Sequence, residues 1–218
     1  NWPEWRGPNS NGLAEGNPPV TWSETENIKW KVPVPGTASS TPIVWGDKLF
    51  ITTSVLAGEP EPEPKERPKR GEAPKAPSIP YKFIVMCLDR NTGATLWERT
   101  AIEAVPHEKH HPTSTFAPYS AATDGSLVWV SFGSRGLYCY DFEGNLKWSQ
   151  DLFPMTMSNA FGEGISATLA DETIIVLMDH EGESKLLAFD KITGELRWEV
   201  LREEGSTWAT PLVAVIDG

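Results

Sequence analysis

Short apolar segments rich in β-branched and aromatic residues recur along this chain, separated by turns that contain Gly, Ala and Asp. Three stretches share one plan, which is an apolar strand, a tight turn and a second apolar strand: "TPIVWGDKLFITTS" (41–54), "YSAATDGSLVWVSF" (119–132) and "ISATLADETIIVLM" (165–178). β-branched and aromatic side chains favour pleated strands, and Gly with Asp favours the turn of a hairpin. The pattern therefore predicts three β-hairpins.

A second phrase follows each hairpin, and it stands as "CLDRNTGATLW" (87–97), "CYDFEGNLKW" (139–148) and "AFDKITGELRW" (188–198). A third strand ends at an Asp, a Gly supplies the positive φ of the next turn, and a fourth strand carries a Trp. We expect each Trp to pack between neighbouring sheets. The residues of this structural repeat motif are Asp89, Gly93, Trp97, Asp141, Gly144, Trp148, Asp190, Gly194 and Trp198.

The closing Trp of each phrase gives the length of the repeat. Trp148 follows Trp97 by 51 residues, and Trp198 follows Trp148 by 50. Repeats of about 40 to 50 residues with four short strands each are typical of β-propeller blades. The sequence therefore predicts an all-β fold, a β-propeller of four-stranded antiparallel blades.

About three and a half blades are present by this count. "NIKWKVPVPG" (27–36) has the pattern of a fourth strand, with Trp30 in the place of the motif Trp. The predicted division is an N-terminal extended segment at 1–27 and a partial propeller at 28–218, with a closing strand at 28–36, blade 1 at 37–100 with a Pro-rich insertion at 59–80, blade 2 at 113–151, blade 3 at 161–202 and the first strand of blade 4 at 206–218.

Closed propellers have about four to eight blades. We therefore expect the chain to be the N-terminal part of a longer protein and one portion of a ring of seven or eight blades. Further blades of the same protein, or a second copy of the chain, would complete that ring.

The two cysteines, Cys87 and Cys139, stand at equivalent positions in successive third strands. Packed sheets lie about 10 Å apart, whereas a disulfide needs Cα atoms within about 7 Å. We predict that both are small core residues without a bridge.

The formal net charge of -11 excludes two classes of partner. An acidic surface repels the phosphates of nucleic acids and of anionic lipids. No apolar run approaches the roughly 18 residues that a membrane span needs, and no signal peptide is visible. The chain opens at "NWPEWRGPNSNG" without a Met, as a processed chain would.

The phrase at 188–198 resembles the PQQ-like β-propeller repeat, which is named for the pyrroloquinoline-quinone alcohol dehydrogenases. The opening residues and "STWATPLV" (206–213) are similar to large exported PQQ-repeat proteins of environmental bacteria. The resemblance implies a bacterial protein of the periplasm or the cell surface, with outer-membrane assembly proteins as more distant relatives.

The resemblance leaves two functions open. In the quinone dehydrogenases the cofactor lies in the central channel on a Trp floor, under a disulfide of adjacent cysteines, beside a calcium held by Glu, Asn and Asp. This chain has no adjacent cysteines, and no residue matches a quinone or calcium ligand by motif. The resemblance thus favours a non-catalytic scaffold without a cofactor, whose loops bind a protein, a glycan or a small ligand. The alternative is part of a PQQ- and calcium-dependent quinoprotein dehydrogenase.

One loop carries candidate metal ligands. "PHEKHHPTS" (106–114) offers His107, His110, His111 and Glu108, which are ligands that zinc or copper accepts. The flanking prolines leave little room for a helix that would place them on one face. The loop is predicted either to be a polar connection with three unrelated histidines or to bind a metal or an anion near the channel mouth.

Overall fold

A computed structural model of the chain describes residues 1–60 and 76–214. It contains three antiparallel sheets of four strands, and each sheet is a meander in which consecutive strands pair. The prediction of an all-β fold with four-stranded blades is thus confirmed. The Pro-rich insertion lies mostly outside the described residues.

The strands occupy the segments in which the repeat predicts them. Blade 1 consists of β1 (Ile43–Trp45), β2 (Lys48–Leu56), β3 (Tyr81–Asp89) and β4 (Thr95–Ala104). Blade 2 consists of β5 (Ala122–Thr123), β6 (Leu127–Ser131), β7 (Leu137–Asp141) and β8 (Leu146–Gln150). Blade 3 consists of β9 (Thr168–Ala170), β10 (Thr173–Met178), β11 (Ser184–Asp190) and β12 (Leu196–Arg202). The described residues also contain two single 3₁₀ turns, Gly133–Arg135 and Ser158–Ala160.

The core lies between the blades, since each sheet buries alternate side chains against its neighbour. The interface of blades 1 and 2 includes Phe50, Phe83, Val85, Val130 and Tyr140. The interface of blades 2 and 3 includes Trp129, Cys139, Ile174, Met178 and Phe189. Complete burial of a large apolar side chain stabilises a fold by about 1.5 to 3 kcal/mol, so these two interfaces hold the blades together.

The first strands of the blades converge on the axis of the partial ring, where one hydrogen bond repeats. The N–H of Thr41 donates to Ser120 Oγ (2.9 Å), that of Ser120 to Ser166 Oγ (2.9 Å), and that of Ser166 to Thr210 Oγ1 (3.2 Å). The four residues occupy the same place in successive repeats. This chain of contacts fixes the register between blades at the axis.

The turn between the third and fourth strands explains the repeated Asp. Asp89 Oδ1 accepts hydrogen bonds from the N–H groups of Asn91 and Thr92, both at 2.8 Å. Gly93 follows with φ +76°, a conformation that costs a residue with a side chain free energy. Gly144 and Gly194 have φ +79° and +76° in the equivalent turns.

Residues 28–36, the predicted closing strand, belong to no β-ladder in the described part of the chain. They still lie along blade 1, where Val32 packs against the apolar side chains of its outer face. A strand needs a partner strand for its hydrogen bonds, and the blade that this segment would complete is not among the described residues. The closing strand therefore stays a prediction.

The predicted first strand of blade 4 forms no ladder in residues 206–214, and residues 215–218 lie outside the described part. The segment does contact blade 3 as the other first strands contact their neighbours. Thr168 Oγ1 donates to the carbonyl oxygen of Pro211 (2.9 Å).

The N-terminal segment begins on the propeller rather than apart from it. Trp2 and Val44 exchange backbone hydrogen bonds of 2.7 and 2.8 Å, and the N–H of Thr123 donates to the carbonyl oxygen of Pro3 (2.9 Å). Residues 2 and 3 therefore cover the inner edges of blades 1 and 2. No helix in residues 1–60 or 76–214 is long and apolar enough to cross a membrane.

Candidate functional site

Each meander has two ends, which define two faces of the molecule. In each blade, the turn between the first and second strands and the turn between the third and fourth strands lie at one end, which we call the turn face. The turn between the second and third strands of each blade and the connections between blades lie at the other end, which we call the connection face. The described segments of the connection face are 57–60, 76–80, 105–121, 132–136, 151–167, 179–183 and 203–209.

The first two predicted metal ligands lie on the connection face and bind backbone groups of the next connection. His107 Nε2 bonds to the carbonyl oxygen of Met155 (2.6 Å), and the carboxylate of Glu108 accepts the N–H of Met157 (3.1 Å). Burial raises the pKa of Glu108, and the nearby charge of Glu163 raises it further.

The other two histidines make separate local contacts. His110 Nδ1 bonds to the carbonyl oxygen of His111 (2.8 Å), and His111 Nδ1 bonds to Thr113 Oγ1 (2.8 Å). Among residues 1–60 and 76–214, no three or more His, Cys, Asp or Glu side chains are grouped to hold a metal ion. The metal site stays a prediction that these contacts do not support.

A buried carboxylate that the motif search missed joins three segments of the connection face. The Glu163 side chain is 3% exposed, and its Oε1 accepts a bond from Arg135 Nη1 (2.7 Å). Its Oε2 accepts the hydroxyl of Tyr119 (2.8 Å) and the N–H of Ser134 (2.7 Å). Arg135 Nη2 also lies 3.2 Å from His107 Nδ1, which is placed to accept a bond from it.

This network explains the glycine in "GSRG" (133–136). A Cβ on Gly133 would overlap both Glu163 Oε2 and the hydroxyl of Tyr119. Burial raises the pKa of Tyr119 well above its ordinary value, so the phenol stays protonated and donates a hydrogen bond to the carboxylate of Glu163. The adjoining cavity of about 10 Å³ has room for one water molecule.

The sequence carried little sign of this network. Glu163 stands alone in "FGEG" (161–164) and Arg135 in "GSRG" (133–136), and both stretches have the composition of turns. A charged residue between glycines is a weak signal, because exposed turns have the same composition.

Blade 3 also has a buried carboxylate that accepts hydrogen bonds from other segments. Asp179 is fully buried and accepts Arg202 Nε (2.8 Å) and Thr207 Oγ1 (3.0 Å). His180, its neighbour in sequence, instead lies with Nδ1 3.2 Å from the N–H of Thr156. Every buried side-chain polar atom in the described residues has a hydrogen-bond partner.

Two aromatic side chains of the connection face are exposed to solvent. Phe161 and Trp208 are each 44% exposed, and their ring centroids lie 6.4 Å apart at an angle of 44°. Trp208 Nε1 donates to the carbonyl oxygen of Gly162 (2.8 Å), and the N–H of His111 donates to that of Phe161 (2.8 Å). We call this pair the aromatic platform. It lies beside the axis, since Trp208 is two residues from Thr210.

Residues 82–218, more than half of the chain, match the family model described as outer membrane protein assembly factor BamB. The chain belongs to this family of PQQ-like β-propeller proteins. The resemblance inferred from the repeat is thereby confirmed. None of the curated proteins is similar enough in sequence to match the chain.

Solved structures with a similar fold include two quinohemoprotein alcohol dehydrogenases and one BamB. The dehydrogenase of Comamonas testosteroni is 14% identical in sequence, with a TM-score of 0.47. The match covers 77% of this chain and 21% of the dehydrogenase. That of Pseudomonas putida HK5 is 15% identical, with a TM-score of 0.48 over 79% and 22%. BamB from Moraxella catarrhalis is 15% identical, with a TM-score of 0.40 over 81% and 55%. The chain spans about a fifth of each dehydrogenase and about half of BamB.

Proposed function

We propose that the chain is part of a non-catalytic binding scaffold that presents its connection face to a protein partner. The observation that carries this proposal is the aromatic platform, in which two rings on separate connections are exposed and held by backbone hydrogen bonds. Exposed aromatic side chains fixed in place are typical of binding surfaces. The titratable groups beside them, Glu163 and Arg135, are bound to each other.

Membership of this family favours a protein partner over a small molecule, because the family model is described as an outer membrane protein assembly factor. It also supports a location in the periplasm or at the cell surface. The acidic composition disfavours nucleic acid and anionic lipid as competitors for the same face.

The alternative is a quinoprotein dehydrogenase, and Trp208 favours it, because an exposed indole beside the axis could serve as the floor of a quinone site. Less among the other described residues favours it. They include no group of three or more acidic or His side chains that could hold calcium, and Cys87 and Cys139 are both buried and unpaired.

Site-specific photo-cross-linking tests the scaffold function. A benzophenone amino acid replaces Phe161 in one variant and Ile192 in a control, since Ile192 is 55% exposed on the turn face. With cell-envelope proteins, we expect a discrete adduct from position 161 alone. Equal adducts from both positions, or none from either, would contradict the proposal. Saturable binding of PQQ with Ca²⁺ and dye-linked alcohol oxidation would establish the alternative.

A further inference from the structure

We infer that the aromatic platform binds a basic polypeptide segment, with a Lys or Arg side chain over the indole of Trp208. The inference rests on the proposed binding function and names the chemistry of the partner. Three features of the described residues carry it: the exposed rings, the carboxylates beside them and the pairing of the neighbouring cations.

Contacts with neighbouring residues hold the two rings of the aromatic platform in place. Trp208 is fixed by its hydrogen bond to Gly162, and His111 packs edge-on against Phe161 at a centroid distance of 5.1 Å. Asn159 and Ala160, just before Phe161, both have positive φ, at 55° and 50°. Two successive residues with side chains in that region are rare and are often found at binding sites. This strained turn directly precedes Phe161 in the chain.

Three glutamates with exposed side chains, Glu181, Glu203 and Glu204, belong to two segments of the connection face, 179–183 and 203–209. Glu181 is tied to the loop that carries Trp208, because its Oε1 accepts the Oγ–H of Ser206 (2.7 Å). The hydrogen bonds from Ser206 also lower the pKa of Glu181, so its charge is present at neutral pH.

Two cations in this part of the connection face are already paired with other carboxylates. Lys185 lies within 3.5 Å of Glu183 and Glu199, and Arg202 binds the buried Asp179. An indole face near exposed carboxylates attracts ammonium and guanidinium groups. A polyanion would be repelled.

A neutral glycan is the competing ligand, because sugar rings also stack on aromatic side chains. It would use the rings without needing the three carboxylates. The net charge of -11 and the local excess of Glu therefore favour the basic peptide.

Isothermal titration with hexa-arginine as the probe tests this directly, with cellohexaose as the neutral probe. Trp208→Ala is compared with Trp198→Ala, since Trp198 is 40% exposed but lies on β12, away from the platform. We expect the Kd for hexa-arginine to rise about tenfold in Trp208→Ala and less than about twofold in Trp198→Ala. Equal changes in both variants would overturn the inference.

A charge-matched pair separates local from general electrostatics. One triple variant replaces Glu181, Glu203 and Glu204 by Gln, and its control replaces the exposed turn-face residues Glu143, Glu172 and Glu195 by Gln. Both change the net charge by the same amount. We expect about a tenfold loss of affinity in the first and less than about threefold in the second. Equal losses would mean attraction by net charge alone and would overturn the inference.

The failure of this inference is distinguishable from failure of the scaffold function. Binding of cellohexaose that is lost in Trp208→Ala would assign the platform to a glycan and refute the basic peptide. A cross-link from position 161 without binding of hexa-arginine would keep the scaffold and reject this ligand. Thermal unfolding of each variant checks that it remains folded.

Discussion

The indole of Trp30 lies against Gly93 and donates its Nε1–H to the carbonyl oxygen of Arg90 (2.8 Å), 60 residues away in sequence. Trp97 makes the same pair of contacts with Gly144 and Phe142, and Trp148 makes them with Gly194 and Lys191. Trp30 therefore contacts blade 1 in the way that each motif Trp contacts the blade that follows it. This supports the assignment of residues 28–36 to the outermost strand position of a preceding blade.

The contact between Trp97 and Gly144 gives a first prediction. In Gly144→Ala, the new Cβ would lie 2.7 Å from Trp97 Cδ2, and φ is +79°. Collision and backbone strain together should lower the free energy of unfolding by about 2 to 4 kcal/mol in urea titrations. Gly46→Ala is the control, because φ is +57° and nothing lies within 4 Å of its Cβ. It should cost only about 1 kcal/mol. Equal losses would mean that the Trp contact contributes nothing.

The Glu163 network gives a second prediction. Glu163→Gln keeps the shape of the side chain but leaves Arg135, whose side chain is 8% exposed, without its counter-charge. Removal of one partner of a buried ion pair costs about 3 to 5 kcal/mol, and chemical unfolding should show a loss of that size. Glu172→Gln removes an ion pair between an exposed carboxylate and Lys191, which keeps Asp124 as a partner, and should cost less than about 1 kcal/mol. A small loss in Glu163→Gln would show that the network does not stabilise the connection face.

The blades could be predicted from the sequence because their signal is local and repeated. Asp89, Gly93 and Trp97 each act within one turn or on the next blade, so the same three residue types recur wherever the geometry recurs. The axial hydrogen bonds of Ser120 and Ser166 follow the same logic, although small hydroxyl residues are too common to be noticed before the blades are aligned.

The connection face could not be predicted in this way. Glu163, Arg135 and Tyr119 come from three different segments, and each makes contacts that occur once. The aromatic platform depends on a backbone conformation at Asn159 and Ala160 that nothing in their residue types indicates. The pairing of Trp2 with Val44 was missed for a similar reason, since one bridge leaves no periodic pattern.

The turn aspartates predict sensitivity to acid. The pKa of Asp190 is lowered, first by Arg197 and then by the N–H of Thr193. A depressed pKa stabilises the fold above the unfolded value of about 3.9, and this contribution is lost as the pH falls through the folded value. Asp190→Asn should therefore have a lower Tm than the wild type at pH 7, and the difference should shrink progressively as the pH falls below about 4. A constant difference across this range would show that the charge of Asp190 is not what stabilises the turn.

The buried cysteines predict slow thiol chemistry. Burial raises the pKa of Cys87 to about 11 and that of Cys139 to about 12, and the thiolate is the reactive form. At pH 8 the native protein should react with Ellman's reagent far more slowly than the protein in guanidinium chloride, where both thiols should react. Rapid reaction of the native protein at either thiol would show that the inter-blade core opens to solvent.

The N-terminal segment gives the last prediction, through a pair of glycines with nearly the same backbone. Gly7 and Gly12 have φ of +76° and +75°, but only at Gly7 would a Cβ meet another group, the Trp2 ring at 2.7 Å. Gly7→Ala should displace Trp2 from β1, because the ring cannot keep its place. The amide hydrogens of Val44 and Thr123, which donate to Trp2 and Pro3, should then exchange about tenfold faster or more. Gly12→Ala carries the same backbone strain without the collision, so its exchange at these two amides should match the wild type. If the amides of Val44 and Thr123 exchange equally slowly in both variants, residues 2 and 3 do not protect the inner edges of blades 1 and 2. Faster exchange in Gly7→Ala alone would show that residues 2 and 3 protect the first strands of blades 1 and 2.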